Sequence, residues 1–331
     1  VNENQPTMPP LAEFFLTRKV PCAFLAVILL TTLFWIPGLF ASLPPLAFMV
    51  SFGSSILHML TPGLFAIISI GGGLAFTLHT AVISAFLVWL LSGFAVWPAI
   101  MVMVFYAVVP MLAGQILRKP GGFQLCMSWL LIAMLVATLV FLAAGAWMQD
   151  SSSIQAFVRS LIEPVLAAVP NPEKQLTDDM VEQATQFLVW VLPGSLALSF
   201  WSIWSLNVLF ARQISVRYGF FSGDQTPMLE LRFNKSVAYA FVVMLLLANF
   251  TEGSVQYIAV CAAFLFGGAL SVQGVFVTHL WLRARDMQLF IAVMYVLLLM
   301  WSLIVIPFMV LGLLDIWYDF RRKFGPAIGG K

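Results

Sequence analysis

Charge is what this chain has least of. Asp, Glu, Lys and Arg make up 9% of its 331 residues, while 62% are hydrophobic. A soluble domain carries about 25% charged residues. From Val20 to Leu117 none of the four occurs. That scarcity excludes a soluble enzyme and a disordered chain. A net charge of +2 also leaves no basic stripe for DNA or RNA. Cysteine is scarce too. Cys22, Cys126 and Cys261 lie in separate apolar runs with no C-x-x-C or Cys/His spacing. They read as small buried hydrophobes, not as a disulfide scaffold or a metal site. Walker, H-E-x-x-H and Gly-x-Ser-x-Gly patterns are missing, as are paired carboxylates inside apolar runs. The chain is therefore expected to be non-enzymatic, with no metal and no cofactor, and to hydrolyse no ATP through a Walker loop.

What is there is apolar length. A bilayer span needs about 20 apolar residues. Breakers divide the first charge-free block into spans at about Val20–Phe40, Leu46–Leu60, a third running from Pro62-Gly63 to Leu91, and Trp97–Leu117. Arg18-Lys19 before the first span resembles a signal peptide, but the apolar run outlasts an h-region of about 7–15 residues. Phe123–Met148, Phe187–Ala211, a short Val237–Phe250, Val255–Leu282 and Leu289–Leu314 follow. The expected fold is an all-α, polytopic transmembrane helical bundle of about eight to nine membrane segments in one domain. Gly71-Gly72-Gly73 interrupts the third span. Lipid offers no hydrogen bonds to loose backbone, so any break there faces protein or a cavity.

Three segments differ in composition. Residues 149–183 form an acidic loop in which Ile154, Phe157, Val158, Leu161, Ile162, Val165 and Leu166 recur at helical spacing, interrupted by Pro164. An amphipathic helix on the bilayer surface is the simpler reading; a lid over an outward-facing cavity is the functional one. Residues 212–235 form a basic loop, and residues 315–331 a charged tail. The positive-inside rule puts the N-terminus and the 212–235 loop in the cytoplasm and 149–183 in the periplasm. The side of the tail stays open. A ninth span carries Arg321, Arg322 and Lys323 outside; a re-entrant Val237–Phe250 returns them but moves Arg283 and Arg285 out.

Polar groups at membrane depth are functional candidates, because charge is costly there. His79 lies deep in the third span, while His58 and His279 lie near span ends. Gly267, Ser271, Gly274 and Thr278 share one helix face, a spacing that lets helices approach closely in lipid. Ser195, Ser199 and Ser202 form a similar stripe, followed by Asn207. The ligand-binding candidates are Gly71, Gly72, Gly73, His79, Ser199, Ser202, Asn207 and Gln273. Each also has a plain structural reading as helix packing or an interhelical hydrogen bond. In the tail, Asp315 and Asp319 share a helix face, with Asp319 in reach of Arg322 or Lys323. Asp315, Asp319, Arg321 and Arg322 read either as an interfacial cap or as a partner-docking element.

Leu311-Gly-Leu-Leu-Asp-Ile-Trp-Tyr-Asp-Phe-Arg-Arg322 resembles the closing motif of the YybS-like bacterial membrane proteins, a domain of unknown function. Leu192-Pro-Gly with Asn207-Val-Leu-Phe-Ala-Arg212, Glu230-Leu-Arg-Phe, Phe266–His279 and Leu11–Arg18 are similar to further pieces of that family. The loop after the second span, often basic there, has only His58 here. That architecture is similar to the substrate-binding subunits of energy-coupling-factor vitamin transporters. The resemblance implies a bacterial inner-membrane protein. It implies a small-molecule-binding subunit that works with a separate ATPase or coupling complex. The alternative is a scaffold or assembly factor that docks another membrane complex through the tail helix.

Overall fold

The computed structural model describes residues 7–39, 44–167, 177–221 and 223–324. Among these residues there is no strand. The helices are α1 (Pro10–Thr17), α2 (Lys19–Leu39), α3 (Pro44–Met59), α4 (Thr61–Leu91), α5 (Val96–Met101), α6 (Val109–Leu117), α7 (Gly122–Met148), α8 (Ile154–Ala167), α9 (Asp178–Arg217), α10 (Lys235–Phe250), α11 (Gly253–Arg283), α12 (Gln288–Met300), α13 (Val305–Tyr318) and α14 (Phe320–Phe324). A π-helical stretch, Val102–Val108, joins α5 to α6. Proline sits in the first turn of α1 and α4, where its missing N–H costs little.

Among the described residues, five helices are long and apolar enough to cross a membrane: Met49–Leu91, Val96–Leu117, Gly122–Met148, Asp179–Arg217 and Gly253–Arg283. Counting each bent pair as one span raises the number to seven. Those pairs are Pro10–Thr17 with Lys19–Thr32, bent by 100°, and Gln288–Met300 with Val305–Tyr318, bent by 118°. The described residues thus make an all-helical membrane protein with five to seven such spans. The expected count of eight to nine is not confirmed; Leu46–Leu60 and the span after it fall largely within the single stretch Met49–Leu91. Lys235–Phe250 is a short apolar helix, and the last segment is sharply bent.

The chain forms two compact units, Val1–Leu130 with Ser202–Thr226, and Leu131–Trp201 with Pro227–Lys331. In the first, α4 is not a straight rod. Gly73 has φ 79° and ψ 179°, a region open essentially to glycine alone. Phe65 and Ala81 share one apolar cluster with Cys22, Ala26 and Ala107, although a straight helix holds them about 24 Å apart. The chain therefore changes direction at Gly73, and both halves of α4 pack on α2 and on the helix that contains Ala107. A second cluster joins Val27, Leu30, Ala85, Val88 and Val102.

In the second unit, α8 packs on protein. Phe157, Val158 and Ile162 join Leu142, Ala146, Val189, Tyr257 and Cys261 in one core. The Phe157 ring fills the notch at Gly145, where any Cβ would overlap it. One side of α8, with Phe157, Val158 and Ile162, is accordingly covered by α7, α9 and α11, while Leu161 and Val165 stay exposed. Ser153 caps α8, its hydroxyl accepting the Ala156 N–H at 3.1 Å. Thr177 does the same for α9 through the Met180 N–H at 3.3 Å. Gly194 meets the Cys261 carbonyl and Phe264, and Gly268 seats Leu198, so α9 and α11 approach closely along small residues.

Candidate functional site

In the first unit, polar groups collect where helices are interrupted. Pro62 brings no N–H to the ladder near the start of α4. Asn207 on α9 supplies a donor there, its Nδ2 reaching the Met59 carbonyl at 2.8 Å and its own Ile203 carbonyl at 2.9 Å. Gly63 leaves room for it, since a Cβ at that position would stand 2.7 Å from Asn207 Oδ1. His58 lies within hydrogen-bond distance of the Leu30 carbonyl through Nδ1 (3.2 Å) and of the Tyr106 hydroxyl through Nε2 (2.6 Å). A carbonyl only accepts, which assigns the proton to Nδ1 and makes Nε2 the acceptor of the tyrosine hydroxyl. Tyr106 belongs to the π-helical stretch, whose Phe105 carbonyl accepts the Trp204 indole N–H at 3.3 Å.

At the break in α4, Gly71 faces the Phe220 ring and Gly73 lies near the Arg118 guanidinium. His79 is exposed and bonds only locally among the contacts described, to the Ala75 carbonyl at 2.6 Å. Nearby, Asp224 caps α7 from 101 residues away: its Oδ2 accepts the Phe123 N–H at 2.9 Å. Its Oδ1 accepts the Thr226 N–H at 2.9 Å and the Thr226 hydroxyl at 2.5 Å. Partial burial works against the Asp224 carboxylate. The hydrogen bonds from Thr226 and Phe123, with the Arg212 charge, outweigh it and hold the group below its usual range.

The second unit holds a buried polar network. Gln273 and Asp315 are both 0% exposed. Gln273 Oε1 accepts the Phe233 N–H at 2.8 Å. Its Nε2 donates to Asp315 Oδ2 at 3.0 Å and to the Gly312 carbonyl at 3.2 Å. Asp315 Oδ1 accepts the Phe320 N–H at 3.0 Å, fixing the corner between α13 and α14. Arg321 Nε stands 3.3 Å from Asp315 Oδ2, a charge contact without an aligned hydrogen bond. Its Nη1 donates to the Leu229 carbonyl at 2.6 Å. Arg232 pairs with Asp319 at 2.8 Å and donates to the Ile316 carbonyl at 3.1 Å. Asp319 itself adopts a left-handed conformation, φ 45°, which aspartate tolerates better than most residues.

A separate cleft of about 330 Å³ opens between α8 and α9, lined by Gln155, Ala156, Arg159, Gln186, Val189 and Trp190. That volume is at the lower end of small-molecule sites, about 300–1,000 Å³. Arg159 bridges the helices, bonding Glu163 at 2.7 Å and Glu182. Those two hydrogen bonds raise its pKa above the ordinary arginine value. Tyr257, fully buried, holds the cleft floor by donating to the Val189 carbonyl at 2.7 Å, and its ring meets Trp190 at 5.4 Å.

The residues singled out in sequence are distributed, not gathered. Gly71, Gly72, Gly73, His79, Ser202 and Asn207 belong to the first unit; Ser199 and Gln273 belong to the second. None of them lines the α8/α9 cleft. Ser199 is exposed and bonds back to the Ser195 carbonyl at 2.9 Å. Gln273, Asp315, Asp319 and Arg321 are brought together, with Arg232 in the place expected for Arg322 or Lys323. Arg322 is exposed, and the tail beyond Phe324 lies outside the described residues. Arg159, Glu182, Trp190 and Tyr106 were not legible as partners, because nothing local in the sequence pairs them. Among the described residues no cluster of His, Cys, Asp or Glu is arranged to hold a metal ion.

A family of predicted membrane proteins, described as Predicted membrane protein (DUF2232), matches residues 29–316. The chain belongs to that family. No curated protein and no solved structure matches it.

Proposed function

We propose that this member of the DUF2232 family is a transport-related membrane subunit that binds a small molecule and works with a separate ATPase. One observation carries the reading: the cleft between α8 and α9, of ligand size, with one cationic group, two amides and an indole ring around an otherwise apolar wall. Such a mixture, apolar with a few placed polar groups, is the usual composition of a ligand site. The broken helix at Gly73 supports it, since interrupted helices are a device of membrane transporters. The resemblance to YybS-like proteins, and through them to vitamin-transporter subunits, points the same way. With no Walker loop in the sequence, energy would come from another protein. On this reading α8 acts as the lid over the cleft, held by Arg159 between Glu163 and Glu182.

Purification from the native membrane in mild detergent, followed by native mass spectrometry, tests the proposal. A retained metabolite is expected, together with ATPase or coupling subunits, and the Trp190→Ala variant should lose the metabolite while still folding. A ligand-free protein whose thermal unfolding is unmoved by a metabolite extract of its own cells would sink the reading.

A further inference from the structure

We infer that α12 and α13 form a re-entrant hairpin, entering and leaving the bilayer on the face that carries Arg232, Lys235, Arg283 and Arg285. Helices of 13 and 14 residues are about 20 Å long, well short of a hydrocarbon core of about 30 Å. They are bent by 118°, so they do not add up to one straight crossing.

The contacts then fix where each end lies. α10 and α11 form an antiparallel pair joined at Thr251–Glu252, with the Phe241 ring against Gly267 and the Phe233 N–H on Gln273. Lys235 and Arg283 are therefore on the same face, opposite Glu252. α12 begins five residues after Arg283 and runs back along α11, as the 3.1 Å contact between His279 and the Tyr295 hydroxyl shows. α13 ends where Asp319 meets Arg232 and Arg321 meets the Leu229 carbonyl. The chain leaves on the face it entered.

The apex is independent evidence that the hairpin is immersed. Leu299, Met300, Trp301 and Leu303 are 89%, 78%, 63% and 69% exposed, an apolar tip that water would penalise and lipid would not. Two of its backbone N–H groups are bonded, Trp301 to the Leu297 carbonyl at 2.9 Å and Ile304 to the Trp301 carbonyl at 3.1 Å, which lowers the cost of an apolar medium. This topology also removes the charge conflict of a ninth crossing. Within the unit, Arg232, Lys235, Arg283, Arg285, Arg321 and Arg322 share one face, which the positive-inside rule makes cytoplasmic.

Single-cysteine variants of the full chain in intact cells and in inside-out vesicles, treated with a membrane-impermeant maleimide, decide it. The native Cys22, Cys126 and Cys261 are buried, and the unsubstituted protein gives the background. Arg322→Cys is expected to label only in inside-out vesicles, like Arg285→Cys, while Glu252→Cys labels in intact cells. Labelling of Arg322→Cys from the Glu252 side would mean a crossing and overturns the inference. Leu303→Cys is expected to label from neither side. Labelling from the Glu252 side shows that the tip crosses, and labelling from the Arg285 side shows that the hairpin lies in water; either result overturns it.

Discussion

Gly274 of α11 and Gly312 of α13 meet backbone to backbone. A Cβ on Gly274 would overlap the Phe308 carbonyl and stand 3.0 Å from Gly312 N; a Cβ on Gly312 would overlap the Leu270 carbonyl and stand 2.9 Å from Gly274 N. Gly267, on the same face of α11, seats Met309. This close crossing brings Gln273 within reach of Asp315, so the polar network depends on two missing side chains.

Gly274→Ala and Gly312→Ala are both expected to destabilise the second unit. Each forces two backbones apart, an overpacking cost of roughly 1–3 kcal/mol or more. Thermal unfolding in detergent should show a clear fall in midpoint for each. A midpoint unchanged for both would contradict the close crossing.

Asp315→Asn removes the carboxylate nearest the mostly buried Arg321, and breaking a buried pair costs up to about 3–5 kcal/mol. The double variant Asp315→Asn with Arg321→Gln is expected to recover a large part of that loss. If the double variant is as unstable as the sum of the singles, the pair is not coupled.

Gly73→Ala should cost about 1–3 kcal/mol, because its φ and ψ fall where side chains are strained. Gly93 has φ 68° and open space around it, so Gly93→Ala is the control with the smaller penalty. Equal midpoints for the two variants would mean that α4 does not need the break.

Asp224 gives a pH dependence with a definite sign. Its carboxyl is held below the usual value of 3.8, so the folded form binds a proton less readily than the unfolded one. The stabilisation is present above that value and is lost as pH falls through the lower folded pKa. The group is partly exposed, so the effect is small. Asp224→Asn is expected to flatten the fall in stability on acidification below about pH 4, measured by unfolding at stepped pH. A curve parallel to that of the unsubstituted protein would remove Asp224 from the account.

His58 and Tyr106 offer a test of the π-helical stretch. Tyr106→Phe removes the hydroxyl that donates to His58 Nε2, and loss of that hydrogen bond costs about 0.5–1.5 kcal/mol. In a His58→Leu background, where the bond is already absent, the Tyr106→Phe penalty is expected to be smaller. Strict additivity would show that the two rings do not interact.

Much of the architecture was legible because lipid simplifies the problem. Runs without charge announce membrane helices, and Gly73 and the Arg118–Gly122 turn punctuate them where expected. The small-residue face of α11 reads as a close-packing surface and is one. What hydropathy leaves unresolved is the count. Val237–Phe250 and Leu289–Leu314 are apolar enough to suggest crossings, but hydropathy does not report a bend between Met300 and Val305. Phe157 of the amphipathic α8 sits in a socket at Gly145 that no pattern reveals, while Leu161 and Val165 stay exposed.

The sequence by itself determined that this is an all-helical membrane protein without nucleotide-binding, zinc-hydrolase or serine-hydrolase motifs, because composition and local spacing suffice for those conclusions. Only the tertiary structure decided which polar residues are partners. Gln273 with Asp315, Arg232 with Asp319, Asn207 with Met59 and Asp224 with Phe123 are dozens of residues apart or more. A buried hydrogen bond depends on where two helices cross, and helical periodicity specifies a face without specifying what meets it.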